Sequence, residues 1–136
     1  MNLYNGDCLE VMKDIKNKSI DMILADLPYG TTKNKWDSII DLDELWVQYN
    51  RIIKDNGAIV LFGSQPFTTK LISSNLSNFR EELIWVKNKS GSGLRAKSRH
   101  LKTHEDIIVF SNSGKYTYNP EKWFITDKTF ITQRKT

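Results

Sequence analysis

Cysteine occurs once, at Cys8, which excludes an intramolecular disulfide and a cysteine-built zinc cluster. No apolar run approaches the ~20 residues of a membrane span. The opening residues, Met1-Asn2-Leu3-Tyr4-Asn5, carry neither the charged nor the apolar segment of a secretion signal, so a cytoplasmic location is expected. His100 and His104 stand four apart without an HExxH pattern or a third ligand, so no metal site is expected. There is no internal repeat, and no acid lies between Lys87 and Lys102.

What is present is ordinary for a globular chain. The 136 residues suffice for one domain with its own core, and 39% are apolar and 26% charged. The net charge of +4 is uneven. Residues 1–86 hold nine Lys/Arg against twelve Asp/Glu, whereas residues 87–136 hold eleven against four. A basic second part on a near-neutral first part suits a polyanion partner; an uneven soluble surface is the plainer alternative.

Elements alternate along the chain. Leu3-Tyr4 reads as a short strand. Leu9, Met12 and Ile15 give helical spacing from Cys8 to Ile15, with Asp7 as N-cap and Glu10 in the capping-box position. Ser19 to Ala25 reads as a parallel strand buried on both faces. Leu42, Leu45, Trp46, Tyr49, Ile52 and Ile53 stripe a helix from Leu42 to Lys54, capped by Asp41 and ended by Asn56-Gly57. Ala58 to Phe62 is a further buried strand, Phe67 to about Leu76 a helix, and Phe79 to Val86 and Glu105 to Ser111 are strands. Trp46, Tyr49 and Trp85 are expected in the core, and Cys8 as a small buried residue. The order implies an α/β fold, a mostly parallel sheet flanked by helices.

Asp26-Leu27-Pro28-Tyr29 follows the apolar run from Ile20 to Ala25. An acid, a rigid turn and an aromatic therefore sit at the carboxyl end of a strand, where open α/β sheets keep ligand sites. The cluster suits gripping a planar base by its exocyclic amino group while stacking on its face. Such an amine is a poor nucleophile because its lone pair is delocalised into the ring. Two acceptors aimed at its hydrogens free that lone pair. Asp26 can supply one and the Leu27 main-chain carbonyl the other, with Pro28 fixing the backbone beforehand. Tyr29 would stack on the base once it leaves the duplex. An ordinary strand-ending turn with a surface Tyr is the plainer reading of the tetrapeptide alone.

Gly6-Asp7-Cys8-Leu9-Glu10 followed by Asp21-Met22-Ile23-Leu24-Ala25-Asp26-Leu27-Pro28-Tyr29-Gly30 resembles the DNA amino-methyltransferases. These are S-adenosylmethionine-dependent enzymes that methylate adenine N6 or cytosine N4. The early catalytic motif resembles their beta group. Gly30-Thr31-Thr32, Lys35-Trp36-Asp37, Asn56 to Leu61, Ser64-Gln65-Pro66-Phe67 and His104 to Phe110 are similar to phage and prophage members. The resemblance runs from residue 1 to about 120 and implies a Rossmann-like methyltransferase fold in incomplete form. It departs from the commonest motif, which has Pro where Leu27 stands.

The resemblance implies catalytic roles for Asp26, Leu27, Pro28 and Tyr29. It implies S-adenosylmethionine contacts for Asp7, the Cys8 main-chain N–H and Asp26; helix capping is the alternative for Asp7. Trp36 and Asp37 either line the base or methionine pocket or pack the loop onto the sheet. Lys87, Lys89, Arg95, Lys97, Arg99 and Lys102 form a basic loop, 87–102, expected to meet double-stranded DNA. His104 and Glu105 are expected to be structural or near the DNA. No Phe-x-Gly-x-Gly turn for the cofactor's methionine is present. The expectation is thus a catalytic portion, 1–120, of a shortened adenine-N6 methyltransferase of a bacterial or phage-infected cell. Residues 121–136 would begin a missing target-recognition and cofactor half. A homodimer or a complementing second half would then be needed. Cytosine N4 is the alternative target, and a non-catalytic DNA-binding remnant the alternative class.

Overall fold

The computed structural model describes residues 1–35, 37–89, 93 and 96–121. Trp36, Arg95, the Ser90-Gly91-Ser92 stretch and residues 122–136 lie outside them.

Helix α1 is Cys8–Lys13. Asp7 caps it, accepting from the Leu9 N–H at 2.8 Å. Glu10 does not complete the expected capping box; its carboxylate pairs with Lys13 at 2.7 Å, one helical turn on. Strand β1 is Ile20–Asp26. Helix α2 is Leu42–Ile52 and buries the predicted stripe of Leu42, Leu45, Trp46, Tyr49 and Ile52. Asp41 caps it, with Oδ1 accepting from the N–H of Asp43 at 2.9 Å and of Glu44 at 3.1 Å.

The end of α2 differs from the expectation of a glycine stop at Asn56-Gly57. The chain turns at Ile53 directly into strand β2, Ile53–Gly63. The last carbonyls of the helix find partners elsewhere. Arg51 O and Ile52 O accept from the N–H groups of Lys18 and Ser19, both at 3.0 Å, as the chain enters β1. A tertiary contact thus does what a C-terminal glycine otherwise does. Helix α3, Phe67–Ser74, and strands β3, Phe79–Val86, and β4, His104–Phe110, lie close to their expected ranges.

The sheet order is β1-β2-β4-β3. β1 and β2 are parallel, and β4 is antiparallel to both of its neighbours. β1, β2 and β3 therefore run one way and β4 alone opposes them; with one parallel and two antiparallel pairings, the described sheet is mixed rather than mostly parallel, because β4 is inserted between β2 and β3. The α2 crossover explains the parallel pair, since a parallel connection must cross the sheet.

One face of this sheet holds the core. Ile59, Leu61, Ile108 and Phe110 are no more than 1% exposed and belong to one cluster with Trp46, Phe67 and Leu71 of α2 and α3. The Phe110 ring lies 4.8 Å from Trp46 and 6.1 Å from Phe79 between centroids. The buried Trp46 indole N–H is satisfied by Ser74 Oγ at 2.8 Å. Arg51 ties α1 to α2, its guanidinium donating to Ile15 O and Met12 O, both at 2.6 Å.

Three expectations are corrected. Leu3-Tyr4 forms no strand; both residues are exposed, and no described strand lies beside them. β1 is not buried on both faces, because α2 and α3 pack on the same side of the sheet. Met22 and Leu24 are 54% and 58% exposed on the opposite side. Trp85 is on that side too, 48% exposed and edge-on to Phe62 at 5.9 Å rather than in the core. Among the described residues, no helix is long and apolar enough to cross a membrane.

Candidate functional site

β1 ends at Asp26 and β2 at Gly63, while β4 starts at His104. Register places Asp26 opposite Phe62, Gly63 opposite Asp106 and Val86 opposite His104. The carboxyl ends of three strands and the start of the reversed one thus share one edge of the sheet. That edge is where open α/β sheets bind ligands.

The Asp26 turn is built from opposites. Asp26 is exposed, Leu27 is 8% exposed and joins the core, and Tyr29 is half-buried. The Leu27 side chain anchors the turn, which fixes the backbone on either side of it. The Tyr29 hydroxyl donates to Asp26 Oδ1 at 2.8 Å. Its ring stacks on Phe67 with centroids 5.2 Å apart and planes inclined by 23°. Burial, and then the hydrogen bond to Asp26 and that residue's charge, hold the Tyr29 phenol well above the usual tyrosine range. Tyr29 is therefore a neutral donor to a carboxylate at any physiological pH.

Asp37 organises the loop that follows. Its carboxylate accepts from the backbone N–H groups of Gly30, Thr31 and Thr32 at 2.8, 2.9 and 2.6 Å. Gly30 has φ +67°, a left-handed conformation that favours glycine, and a Cβ there would lie 2.8 Å from Ile39 Cγ1. Of the two readings held for Asp37, loop packing is the one its hydrogen bonds serve. Trp36 beside it lies outside the described residues.

Hydrogen bonding to Thr32, and further N–H groups of the loop against the opposing effect of burial, hold the Asp37 carboxyl below the usual carboxylate range. A group with a lowered folded-state pKa stabilises above its unfolded value, and that contribution is lost as pH falls through the folded one. The Gly30–Thr32 loop should therefore hold above the ordinary Asp pKa of about 3.9 and loosen progressively below it. Amide exchange at Gly30, Thr31 and Thr32, normalised to the intrinsic rates, is expected to quicken on that acid side. In Asp37→Asn it should already be fast at pH 7; protection retained there would contradict the clamp.

The basic loop springs from the same edge, its base closed by the Lys87 N–H donating to Thr103 O at 2.7 Å. Lys87 is not a free cation. It pairs with Glu105 and lies 5.1 Å above the Trp85 ring. Lys102 donates to Ser64 Oγ at 3.0 Å and sits 3.8 Å from Asp106. Lys89, Lys97 and Arg99 are exposed, and Arg95 lies outside the described residues. Glu105 thus serves a structural pair, and His104 sits 3.8 Å from Asp106.

Asp7 and Cys8 open α1, and among the described residues no hydrogen bond joins them to the Asp26 turn. Cys8 is exposed, not buried as expected, because the first turn of a short helix leaves it outside the core. Partial burial and the charge of Asp7 push its thiol up, so it stays protonated.

Sequence reasoning missed three residues at this edge. Phe67 stacks on Tyr29. Thr68 Oγ1 donates at 2.6 Å to Asp106 Oδ2, and both residues are buried, at 1% and 4% exposed. The available signal was Asp106 itself, a charge directly before the apolar run Ile107 to Phe110.

This arrangement of strands and helices is shared with solved methyltransferase structures. The M1.HpyAVI–SAM complex superposes with a TM-score of 0.64 at 22% identity, covering 87% of this chain and 60% of that one. The cytosine-N4-specific PvuII DNA methyltransferase gives 0.59 at 16% identity, covering 83% and 49%. These are likenesses of fold, and they define an α/β methyltransferase-type domain. Residues 20–135 match the DNA methylase family of N6 and N4 enzymes, and the chain belongs to it. Among curated relatives, the DNA adenine methyltransferase YhdJ of Escherichia coli K12 is 29% identical over 93% of this chain and 47% of its own length. M.BamHI of Bacillus amyloliquefaciens is 26% identical over 88% and 31%. The chain thus spans half or less of the length of these relatives.

Proposed function

We propose that this chain is the base-holding portion of an S-adenosylmethionine-dependent DNA methyltransferase acting on adenine N6. The carrying observation is Asp26, an exposed carboxylate at a strand end that already accepts a hydrogen bond from a neutral donor, Tyr29. An exocyclic base amine is a donor of the same kind. Asp26 and the Leu27 carbonyl would hold its two hydrogens and release its lone pair, with Pro28 keeping the carbonyl in place. Tyr29 would stack on the flipped base. That contact is worth ~1–3 kcal/mol per base, comparable with the few kcal/mol of unstacking.

The first turn of α1 suits the adenine end of S-adenosylmethionine. Asp7 uses Oδ1 for its cap, and a carboxylate has acceptor capacity to spare. The Cys8 N–H is among the helix donors that lack an intrahelical partner. An acceptor beside a donor matches the edge of an adenine, and Asp26 would face the methyl-bearing end. The cofactor supplies an electrophilic methyl group. No Phe-x-Gly-x-Gly turn exists here for its methionine end. A second half, or a second copy of the chain, would hold that end and pack on the open sheet face of Met22, Leu24 and Trp85.

Lys89, Lys97 and Arg99, with Arg95 in the same loop, would meet the DNA backbone. Lys87 and Lys102 would hold the base of the loop. Adenine is preferred because a curated relative matching 93% of this chain at 29% identity is a DNA adenine methyltransferase. A cytoplasmic location follows from that substrate.

Tritiated S-adenosylmethionine and unmethylated DNA, followed by digestion to nucleosides, test this reading. Label in N6-methyladenine supports it. Label in N4-methylcytosine moves the target. Salt-steep DNA binding without cofactor affinity or label would favour the non-catalytic remnant, which the missing glycine turn otherwise recommends.

A further inference from the structure

We propose that Phe67 is the positioning residue for the Tyr29 ring, and that the buried Thr68–Asp106 hydrogen bond locks Phe67 in place. The inference rests on the reading of Tyr29 as the base-stacking residue. Neither Phe67, Thr68 nor Asp106 has a role in that reading otherwise.

Tyr29 is held at two points. Its hydroxyl is tied to Asp26 at 2.8 Å and its ring lies near-parallel to Phe67, 5.2 Å away. Phe67 covers one ring face, so a planar ligand has only the other. The tilt of Phe67 then sets the tilt of anything stacked on Tyr29. Phe67 itself is 2% exposed at the first position of α3, with little freedom to follow a ligand.

The next residue explains the rigidity. Thr68 Oγ1 donates to Asp106 Oδ2 at 2.6 Å. A carboxylate with 4% exposure is costly unless its oxygens are satisfied. Asp106 meets that cost with the Thr68 hydroxyl and with the Lys102 ammonium, 3.8 Å away. Gly63 lets the first turn of α3 approach the strand. A Cβ there would lie 2.7 Å from Thr68 Oγ1 and 2.8 Å from Ile108 Cδ1. The turn carrying Phe67 is therefore clamped between β2 and β4. A continuous path runs from Asp106 through Thr68 and Phe67 to Tyr29 and Asp26, every link a contact between neighbouring side chains or adjacent residues.

The test uses a single-stranded oligonucleotide carrying one 2-aminopurine, whose fluorescence falls on stacking, and an end dye whose anisotropy reports total binding. Phe67→Leu and Thr68→Val should each lose at least about threefold of the 2-aminopurine quenching at saturation, with the Kd from anisotropy little changed. Thr68→Ser, which keeps the hydroxyl, should retain the quenching. Circular dichroism identifies folded variants, and if Phe67→Leu does not fold, the near-isosteric Thr68→Val decides. Full quenching in Thr68→Val or in folded Phe67→Leu, with quenching lost in Tyr29→Ala, would overturn the positioning role alone. Quenching that survives Tyr29→Ala, or is absent from the unaltered chain, would overturn the base-stacking reading and this inference with it.

Discussion

Asp26→Ala is expected to lower methyl transfer by about a hundredfold or more while leaving the fold intact. Removing one preorganised hydrogen-bonding group from a reacting centre typically costs about 10²–10³ in rate, or about 2.7–4 kcal/mol. Asp26 supplies one of the two acceptors proposed for the amine, so its loss leaves the lone pair delocalised. The fold has little stake in it. Asp26 is exposed, and its carboxylate accepts from the Tyr29 hydroxyl. Tyr29→Phe is the informative companion. It removes the same hydrogen bond but keeps the stacking ring, so its rate should stay within about tenfold of the unaltered chain. Initial rates of tritium incorporation, with urea midpoints for both variants, measure this. Undiminished turnover in Asp26→Ala would remove Asp26 from the chemistry, and a collapsed urea midpoint would make it structural instead.

The largest stability effect is expected at Phe110. Its side chain is fully buried where β4 meets α2 and the start of β3, with Trp46 at 4.8 Å and Phe79 at 6.1 Å. Truncating a buried Phe to Ala typically costs about 3–5 kcal/mol in lost transfer energy and residual cavity. Domains commonly have only about 5–15 kcal/mol in total. This one is disadvantaged further, because among the described residues helices pack on one sheet face alone. Phe110→Ala should therefore lower the urea midpoint by more than about 1 M at an unchanged slope, or abolish the cooperative transition. Leu83→Ala on the open face, 49% exposed, is the contrasting control and should change the midpoint little. Equal effects at the two positions would mean that the helix-covered face is not the core.

Much of this was legible in the residues. The Asp41 cap and the α2 stripe are local patterns; the cap and the stripe residues Leu42 to Ile52 appear as read, whereas Ile53, read as the stripe's last residue, opens β2. The Asp26-Leu27-Pro28-Tyr29 turn falls at a strand end because an apolar run stops there and a proline follows. The misread end of α2 and the misplaced Trp85 share one cause, which is that partners distant in sequence overrode local signals. The glycine at position 57 looked like a helix stop until Lys18 and Ser19 satisfied the helix carbonyls. Trp85 looked like core because an aromatic on a strand usually packs. Only the side chosen by α2 and α3 decides which strand face is covered.

The site divides the same way. Asp26 and Tyr29 could be named from four consecutive residues, since a turn brings them together without help from the rest of the chain. Asp37 could be noticed, but its task of holding three backbone N–H groups follows from how the loop closes. Lys87 counted as a loop cation until Glu105, eighteen residues away, claimed it. The sequence by itself determined the family, the order of the elements and the residues of the Asp26 turn, because these rest on periodicity and on neighbours along the chain. Only the tertiary structure decided that β4 enters the sheet reversed between β2 and β3. That insertion carries Asp106 to Thr68 and so sets Phe67 behind Tyr29. The reason is physical: register and burial are settled by packing between segments, and no local pattern encodes which side of a sheet its helices will take.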